Sequence, residues 1–189
     1  MNKFIYLISP KKINKNFYYD LDKVLSAKNV KFFQLRIKKA KFYSLQSIAN
    51  KIKKITQKHK VKFIINDNYK LALKLNVDGC HIGQLDGPII KVRKILKNKI
   101  LGVTCHGSKT LAKQAIINKA DYLGFGSFFK SKLKPSAKKA NLSILKWSKK
   151  NIKKPIVAIG GINNKNYKKI IKSGANYIAI SSFIWDNPK

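Results

Sequence analysis

The sequence predicts an α/β protein, a (β/α)8 TIM barrel, on three observations. Eight short runs of apolar, β-branched or aromatic residues are spread along the 189 residues. The stretches between them switch to helical periodicity, the pattern of repeated βα units and a parallel sheet. An open doubly wound sheet is the alternative, but its G-x-G-x-x-G fingerprint after the first strand is missing. Eight strands is the count that closes a barrel with a packed lumen.

Strands are expected at 4–8, 32–36, 62–66, 79–82, 100–104, 122–125, 156–159 and 177–180. Between them, Leu45, Ile48, Ala49, Ile52 and Ile55 fall on one face of a helix over 45–60, with Ser44 placed as its N-cap. Leu111, Ala112 and Ala115 repeat the pattern after Ser108, and Tyr167, Ile170 and Ile171 repeat it ahead of Gly174, a C-cap glycine. Only Ser181 to Lys189 follow the last strand, so the eighth helix is expected to be truncated. No linker or low-complexity segment interrupts the chain, and one domain over 1–189 is expected.

The chain carries 42 Lys or Arg against 7 acids, a net charge of +35. The only arginines are Arg36 and Arg93, and no glutamate occurs. Such a balance raises nucleic-acid binding. A dedicated binder concentrates its cations on one face, whereas these lysines run evenly from Lys3 to Lys189. The charge therefore reads as a composition bias with weak, nonspecific affinity for polyanions and no specific nucleic-acid partner. At 44% hydrophobic content the chain can bury a core, which excludes a disordered basic tail. Two cysteines make no disulfide framework, and no apolar run reaches the roughly 18 residues of a membrane span. A soluble, cytoplasmic protein without a membrane partner is expected.

Barrel function belongs to the loops that follow the strands. After strand two, alternation puts Gln34, Arg36 and Lys38 on one face. Asn66 and Asp67 follow strand three, and Asp86 closes the stretch His81-Ile82-Gly83-Gln84-Leu85-Asp86 after strand four. Two of the seven acids thus sit just past adjacent strands. Brought together beside Arg and Lys, they suit a hard divalent cation bridging to phosphate oxygens; taken singly, each acid merely starts a helix near its positive end. Gly160-Gly161 and Ser181-Ser182 occupy the usual barrel phosphate position, although a glycine pair also makes a tight turn. Cys80-His81 and Cys105-His106 raise a zinc reading, but neighbouring strand residues face opposite ways and the spacing fits no common zinc pattern. His59 reads as a solvated helix-end residue, His81 as a rim or core histidine, and both tryptophans as packing.

The series Gln34-Leu35-Arg36-x-Lys38, Ile65-Asn66-Asp67, Gly79-x-His81-x-Gly83-Gln84-x-Asp86, Gly102-Val103-Thr104-x-His106, Asp121-Tyr122-x-Gly124-x-Gly126 and Ala158-Ile159-Gly160-Gly161-Ile162 resembles thiamine phosphate synthase, in order over nearly the whole chain. The resemblance implies a transferase that joins 4-amino-5-hydroxymethyl-2-methylpyrimidine diphosphate to a thiazole phosphate, giving thiamine monophosphate and pyrophosphate. It implies that Asp67 and Asp86 hold Mg2+. Gln34, Arg36, Lys38, Asn66, Thr104 and Lys134 then bind the pyrimidine diphosphate, and Ser131, Gly161, Ser181 and Ser182 the thiazole phosphate. Family members ionise the C–O bond first, so Arg36, Lys38 and Lys134 would stabilise the departing pyrophosphate. The loop after strand six departs from the family's Pro-Thr-x-Thr-Lys, reading Lys130-Ser131-Lys132-Leu133-Lys134. A sister branch, the thiazole tautomerases, places a catalytic His where this chain has Ser127. A third reading is a non-catalytic basic barrel that binds polyanions.

Overall fold

Eight parallel strands pair in chain order, and β8 returns to β1 to close the barrel. The computed structural model describes residues 4–27, 29–38, 41–130 and 139–186. The strands are β1 (Ile5–Ile8), β2 (Val30–Leu35), β3 (Lys62–Asn66), β4 (Gly79–Ile82), β5 (Ile100–His106), β6 (Tyr122–Phe125), β7 (Ile156–Ile159) and β8 (Tyr177–Ile180). The helices are α1 (Phe17–Ser26), α2 (Phe42–Lys58), α3 (Tyr69–Lys74), α4 (Ile89–Leu96), α5 (Lys109–Ile117), α6 (Ser143–Asn151), α7 (Tyr167–Lys172) and α8 (Ser182–Trp185).

Three strands differ from expectation. β1 begins one residue later, at Ile5. β2 starts two residues earlier, at Val30, and ends at Leu35, which leaves Arg36 on the rim. β5 runs on to His106, past a register shift between Thr104 and His106 that turns the strand end. The expected cap of α2 is corrected. The helix begins at Phe42, and the Lys41 carbonyl accepts the Leu45 N–H at 3.0 Å, so Ser44 lies inside the first turn. Ser108 caps α5 as expected, its Oγ accepting from the Leu111 N–H at 3.2 Å. Gly174, at φ +118°, follows α7 in the left-handed conformation that glycine adopts without strain.

Alternation along the strands divides the apolar residues into two cores. The outer one lies between sheet and helices and includes Leu7, Phe33, Phe63, Cys80, Leu101, Cys105 and Leu123. The inner one fills the lumen with Tyr6, Ile8, Phe32, Ile64, Tyr122, Val157 and Ala179. Cys80 and His81 thus face opposite sides of the sheet. The short α8 still seals the seam between β8 and β1, because the Trp185 ring packs on Phe17 and its indole Nε1–H donates to the Ile8 carbonyl at 2.6 Å. His59 is not solvated as read. Its side chain is 14% exposed, and Nε2 lies 2.8 Å from Asp22 Oδ1. No helix among the described residues is long and apolar enough to cross a membrane.

Candidate active site

The C-terminal ends of the strands carry the polar residues, one pleat above the apolar lumen. Phe32 and Ile64 face inward, so alternation turns Gln34 and Asn66 the same way. Gln34 is buried at 3% exposure. Ser9, also buried, fixes the neighbouring backbone. Its Oγ accepts from the Arg36 N–H at 2.9 Å, and its own N–H donates to the Gln34 carbonyl at 2.9 Å. Arg36 is half-buried and Lys38 exposed.

The two acids meet here. Asp67 stands at φ +64°, an uncommon conformation that Asp tolerates better than most residues, and its N–H donates to the His81 carbonyl at 2.8 Å. Asn68 then caps α3 by accepting from the Leu71 N–H at 2.9 Å. Asp86 is drawn back over its own loop, where Oδ2 accepts from the Gly83 N–H at 2.6 Å. Burial pushes the Asp67 carboxyl up to about 6, and hydrogen bonding to Asp86 and its charge push the same way. Lys38 and then Arg36 oppose the shift without cancelling it. Two carboxylates held against each other, with cations nearby but no ion pair among the described residues, fit a hard divalent cation as shared partner.

The structure adds a polar thread that the sequence reading missed. His81 sits in the lumen, with Nδ1 2.9 Å from the Tyr122 hydroxyl and Nε2 2.8 Å from Thr104 Oγ1. The Tyr122 hydroxyl is in turn 2.7 Å from that of Tyr6. Burial pulls the His81 imidazole down to about 4 and raises both phenols, so the thread is neutral. Gln84 Nε2 donates to the Thr104 carbonyl, tying the β4 loop to β5. The signal available in the sequence was small: two glycines, Gly102 and Gly124, in lumen-facing register beside this pair. A Cβ at Gly102 would meet the Tyr122 ring at 2.0 Å, and one at Gly124 would meet His81 Cε1 at 3.3 Å.

On the opposite side of the rim, Gly161 takes φ +61°, and a Cβ there would meet the Lys130 carbonyl oxygen at 2.3 Å. Asn166 Nδ2 donates to the Gly161 carbonyl at 3.0 Å, which leaves the turn fixed and close-packed. Ser181 is buried and spends its hydroxyl hydrogen on the Ser9 carbonyl at 3.1 Å, so Ser182 is the partly exposed member of that pair. Ser131 and Lys134 lie outside the described residues. Ser127 Oγ donates to the Phe129 carbonyl at 2.8 Å, a loop-forming role.

A closed barrel with two acids, two cations and a glycine turn on its C-terminal rim defines an enzyme class, the barrels that handle phosphorylated small molecules. The chain belongs to the thiamine monophosphate synthase family, whose model matches residues 5–184. It is 58% identical over 188 residues to a thiamine-phosphate synthase of Pelagibacter ubique, covering 99% of this chain and 91% of that one. It is 39% identical over 183 residues to a thiamine-phosphate synthase of Clostridium acetobutylicum, covering 95% and 86%. The solved thiamine phosphate pyrophosphorylase of Pyrococcus furiosus superposes with a TM-score of 0.85 at 30% identity, over 95% of this chain and 86% of that one.

Proposed function

We propose that this enzyme is a cytoplasmic thiamine-phosphate synthase that condenses 4-amino-5-hydroxymethyl-2-methylpyrimidine diphosphate with thiazole phosphate, releasing pyrophosphate. The observation that carries the reading is the paired Asp67 and Asp86 opposed by Arg36 and Lys38, in a chain 58% identical to a thiamine-phosphate synthase along almost its whole length. Asp67 and Asp86 hold magnesium, which when bound neutralises diphosphate oxygens. Arg36 and Lys38, with Lys134, stabilise the charge that grows on the leaving pyrophosphate. Gln34, Asn66 and Thr104 hold the pyrimidine diphosphate. Gly161, Ser182 and Ser131 receive the thiazole phosphate, with Ser181 bracing the β8 end.

The substrate's C–O bond breaks first, and the thiazole nitrogen captures the resulting pyrimidine cation. That nitrogen carries no proton, so no general base is required. The residues present agree: the one lumen histidine is bonded through both ring nitrogens. The test is thiamine monophosphate formation from the two substrates with magnesium and then with EDTA. Magnesium-dependent product is expected. A folded protein that makes no product and gains no magnesium-dependent protection from pyrophosphate would leave the polyanion-binding barrel as the better reading.

A further inference from the structure

Four groups in the lumen form one line, from Tyr6 through Tyr122 and His81 to Thr104, by three contacts of 2.7, 2.9 and 2.8 Å. With a neutral imidazole they hold four hydrogens, one from each hydroxyl and one on the ring. Three contacts use three hydrogens, and one is left over. Where it falls depends on the ring. If the ring proton is on Nδ1, it donates to Tyr122, Thr104 must donate to Nε2, and the spare hydrogen is on a tyrosine. Tyr6 and Tyr122 are each 2% exposed and packed against Phe32, with ring centroids 5.4 and 5.8 Å away. A spare donor there has no acceptor among the described residues, which is the costly kind of unsatisfied group. If the proton is on Nε2, Tyr6 donates to Tyr122, Tyr122 to Nδ1, and Nε2–H to Thr104. The spare hydrogen is then on Thr104, at the rim.

We propose that Tyr122, backed by Tyr6, is a positioning residue that holds His81 in its Nε2–H tautomer and so presents the Thr104 hydroxyl to the bound pyrimidine diphosphate as a hydrogen-bond donor. The ligand atom it serves is an acceptor, a ring nitrogen or a diphosphate oxygen. The role of Thr104 rests on the function proposed above; the proton positions do not. The walls of the lumen fit the arrangement. His81 and Tyr122 lie nearly parallel, at 22° and 5.5 Å between centroids; a Cβ at 102 would collide with the Tyr122 ring, and one at 124 would press on the His81 ring.

The direct test is nitrogen NMR of the 15N-histidine-labelled protein, with His81 assigned by comparison with variants at His59 and His106. A protonated Nε2 and an unprotonated Nδ1 are expected in the wild type and in Tyr6→Phe, where Tyr122 still donates. In Tyr122→Phe the donor to Nδ1 is gone, and signals from mixed tautomers or a mobile ring are expected. In kinetics, Tyr122→Phe raises KM for the pyrimidine diphosphate about tenfold with kcat changed much less, the effect of one hydrogen bond. Thr104→Val does the same, Thr104→Ser restores the wild-type value, and the double variant Tyr122→Phe/Thr104→Val is no worse than either single one. A merely structural tyrosine would make the double variant additive. A wild-type ring protonated on Nδ1 overturns the proposal even if the enzyme is active and even if Tyr122→Phe fails to fold. A wild-type protein with the Nε2–H tautomer but no synthase activity instead sinks the functional reading of Thr104 and leaves the proton positions standing.

Discussion

The two ends of the barrel use the same scarce residue in opposite ways. At the N-terminal end, Asp78 and Asp121 stand just before β4 and β6, and each reaches back to the strand before. Asp78 Oδ2 accepts the Phe63 N–H at 2.9 Å, and Asp121 Oδ2 the Leu101 N–H at 2.8 Å. Each also meets a cation, Lys62 at 2.7 Å and Arg93 at 2.5 Å. At the C-terminal end, Asp67 and Asp86 face each other without such a partner, one of them in a left-handed backbone. The lower pair satisfies backbone and charge together, so it stabilises. At the upper pair the environment disfavours the Asp67 charge in the protein alone, a cost that the cation proposed above would relieve.

The largest effect should come from uncoupling the upper pair. Asp67→Asn keeps the shape and tolerates φ +64°, but removes one carboxylate. Synthase activity at saturating magnesium is expected to fall at least a hundredfold, roughly 3 kcal/mol of transition-state stabilisation. The same variant should melt higher than the wild type in EDTA at pH 7.5. Asp67 is partly exposed, so the gain is about 1–2 kcal/mol, less than its full shift implies, or several degrees. An active or less stable Asp67→Asn protein would contradict the contrast between the two ends.

The lower pair predicts the reverse. Arg93 donates from Nε to the Lys119 carbonyl at 3.1 Å, from Nη1 to the Lys97 and Lys99 carbonyls, and from Nη2 to Asp121. Its side chain is 15% exposed. Arg93→Met keeps the stem but leaves these acceptors unpaired, and a loss of about 2–3 kcal/mol in denaturant unfolding is expected with kcat unchanged. A drop in kcat without a loss of stability would place Arg93 in the wrong class.

Much of this contrast was legible in the sequence, and for a physical reason. A strand shows its two faces within a few residues, so all eight strands could be placed from local alternation. The acids are so few that Asp67 and Asp86 stood out by position. Helix starts were less legible: Ser44 looked like a cap, but Phe42 and Tyr43 carry α2 one turn further back. The lumen thread was illegible because its members, Tyr6, His81, Thr104 and Tyr122, lie far apart in the chain, on β1, β4, β5 and β6. The pairing of His59 with Asp22 escaped for the same reason, a separation of 37 residues.

A smaller effect follows from pH. The folded-state value of Asp67 lies at about 6, above its ordinary 3.8. Between these values the folded protein binds more protons than the unfolded chain, so stability falls as pH rises through this window and levels off above it. Wild type minus Asp67→Asn isolates this contribution from other carboxyls. In EDTA the variant's advantage should grow from near zero at pH 4 to its full value by pH 7. Magnesium should narrow the gap at pH 7.5 and matter little at pH 5, because the ion needs the deprotonated carboxylate. A gap independent of pH would mean that Asp67 is not held in an environment that disfavours its charge.

The smallest effect concerns a third residue of the lower end. Asn176 precedes β8 as Asp78 precedes β4 and Asp121 precedes β6, and its Oδ1 accepts the Ile156 N–H at 2.8 Å. It is the neutral member of the series. It also lines a cleft of about 360 Å3 with Lys149, Lys153 and Lys154. Asn176→Asp should keep the bond to Ile156, make it charge-assisted, and place a carboxylate among those lysines. A gain of about 0.5–1 kcal/mol is expected at low salt, a rise of a few degrees in melting temperature. Part of the gain should vanish at 1 M salt, where the lysine attraction is screened within about 3 Å and the short backbone bond is not. Synthase activity should not change, because the substitution lies at the end of the barrel away from Asp67 and Asp86. Destabilisation by Asn176→Asp would mean that the amide makes a donor contact which a carboxylate cannot replace, and the likeness among the three positions would then stop at Asp78 and Asp121.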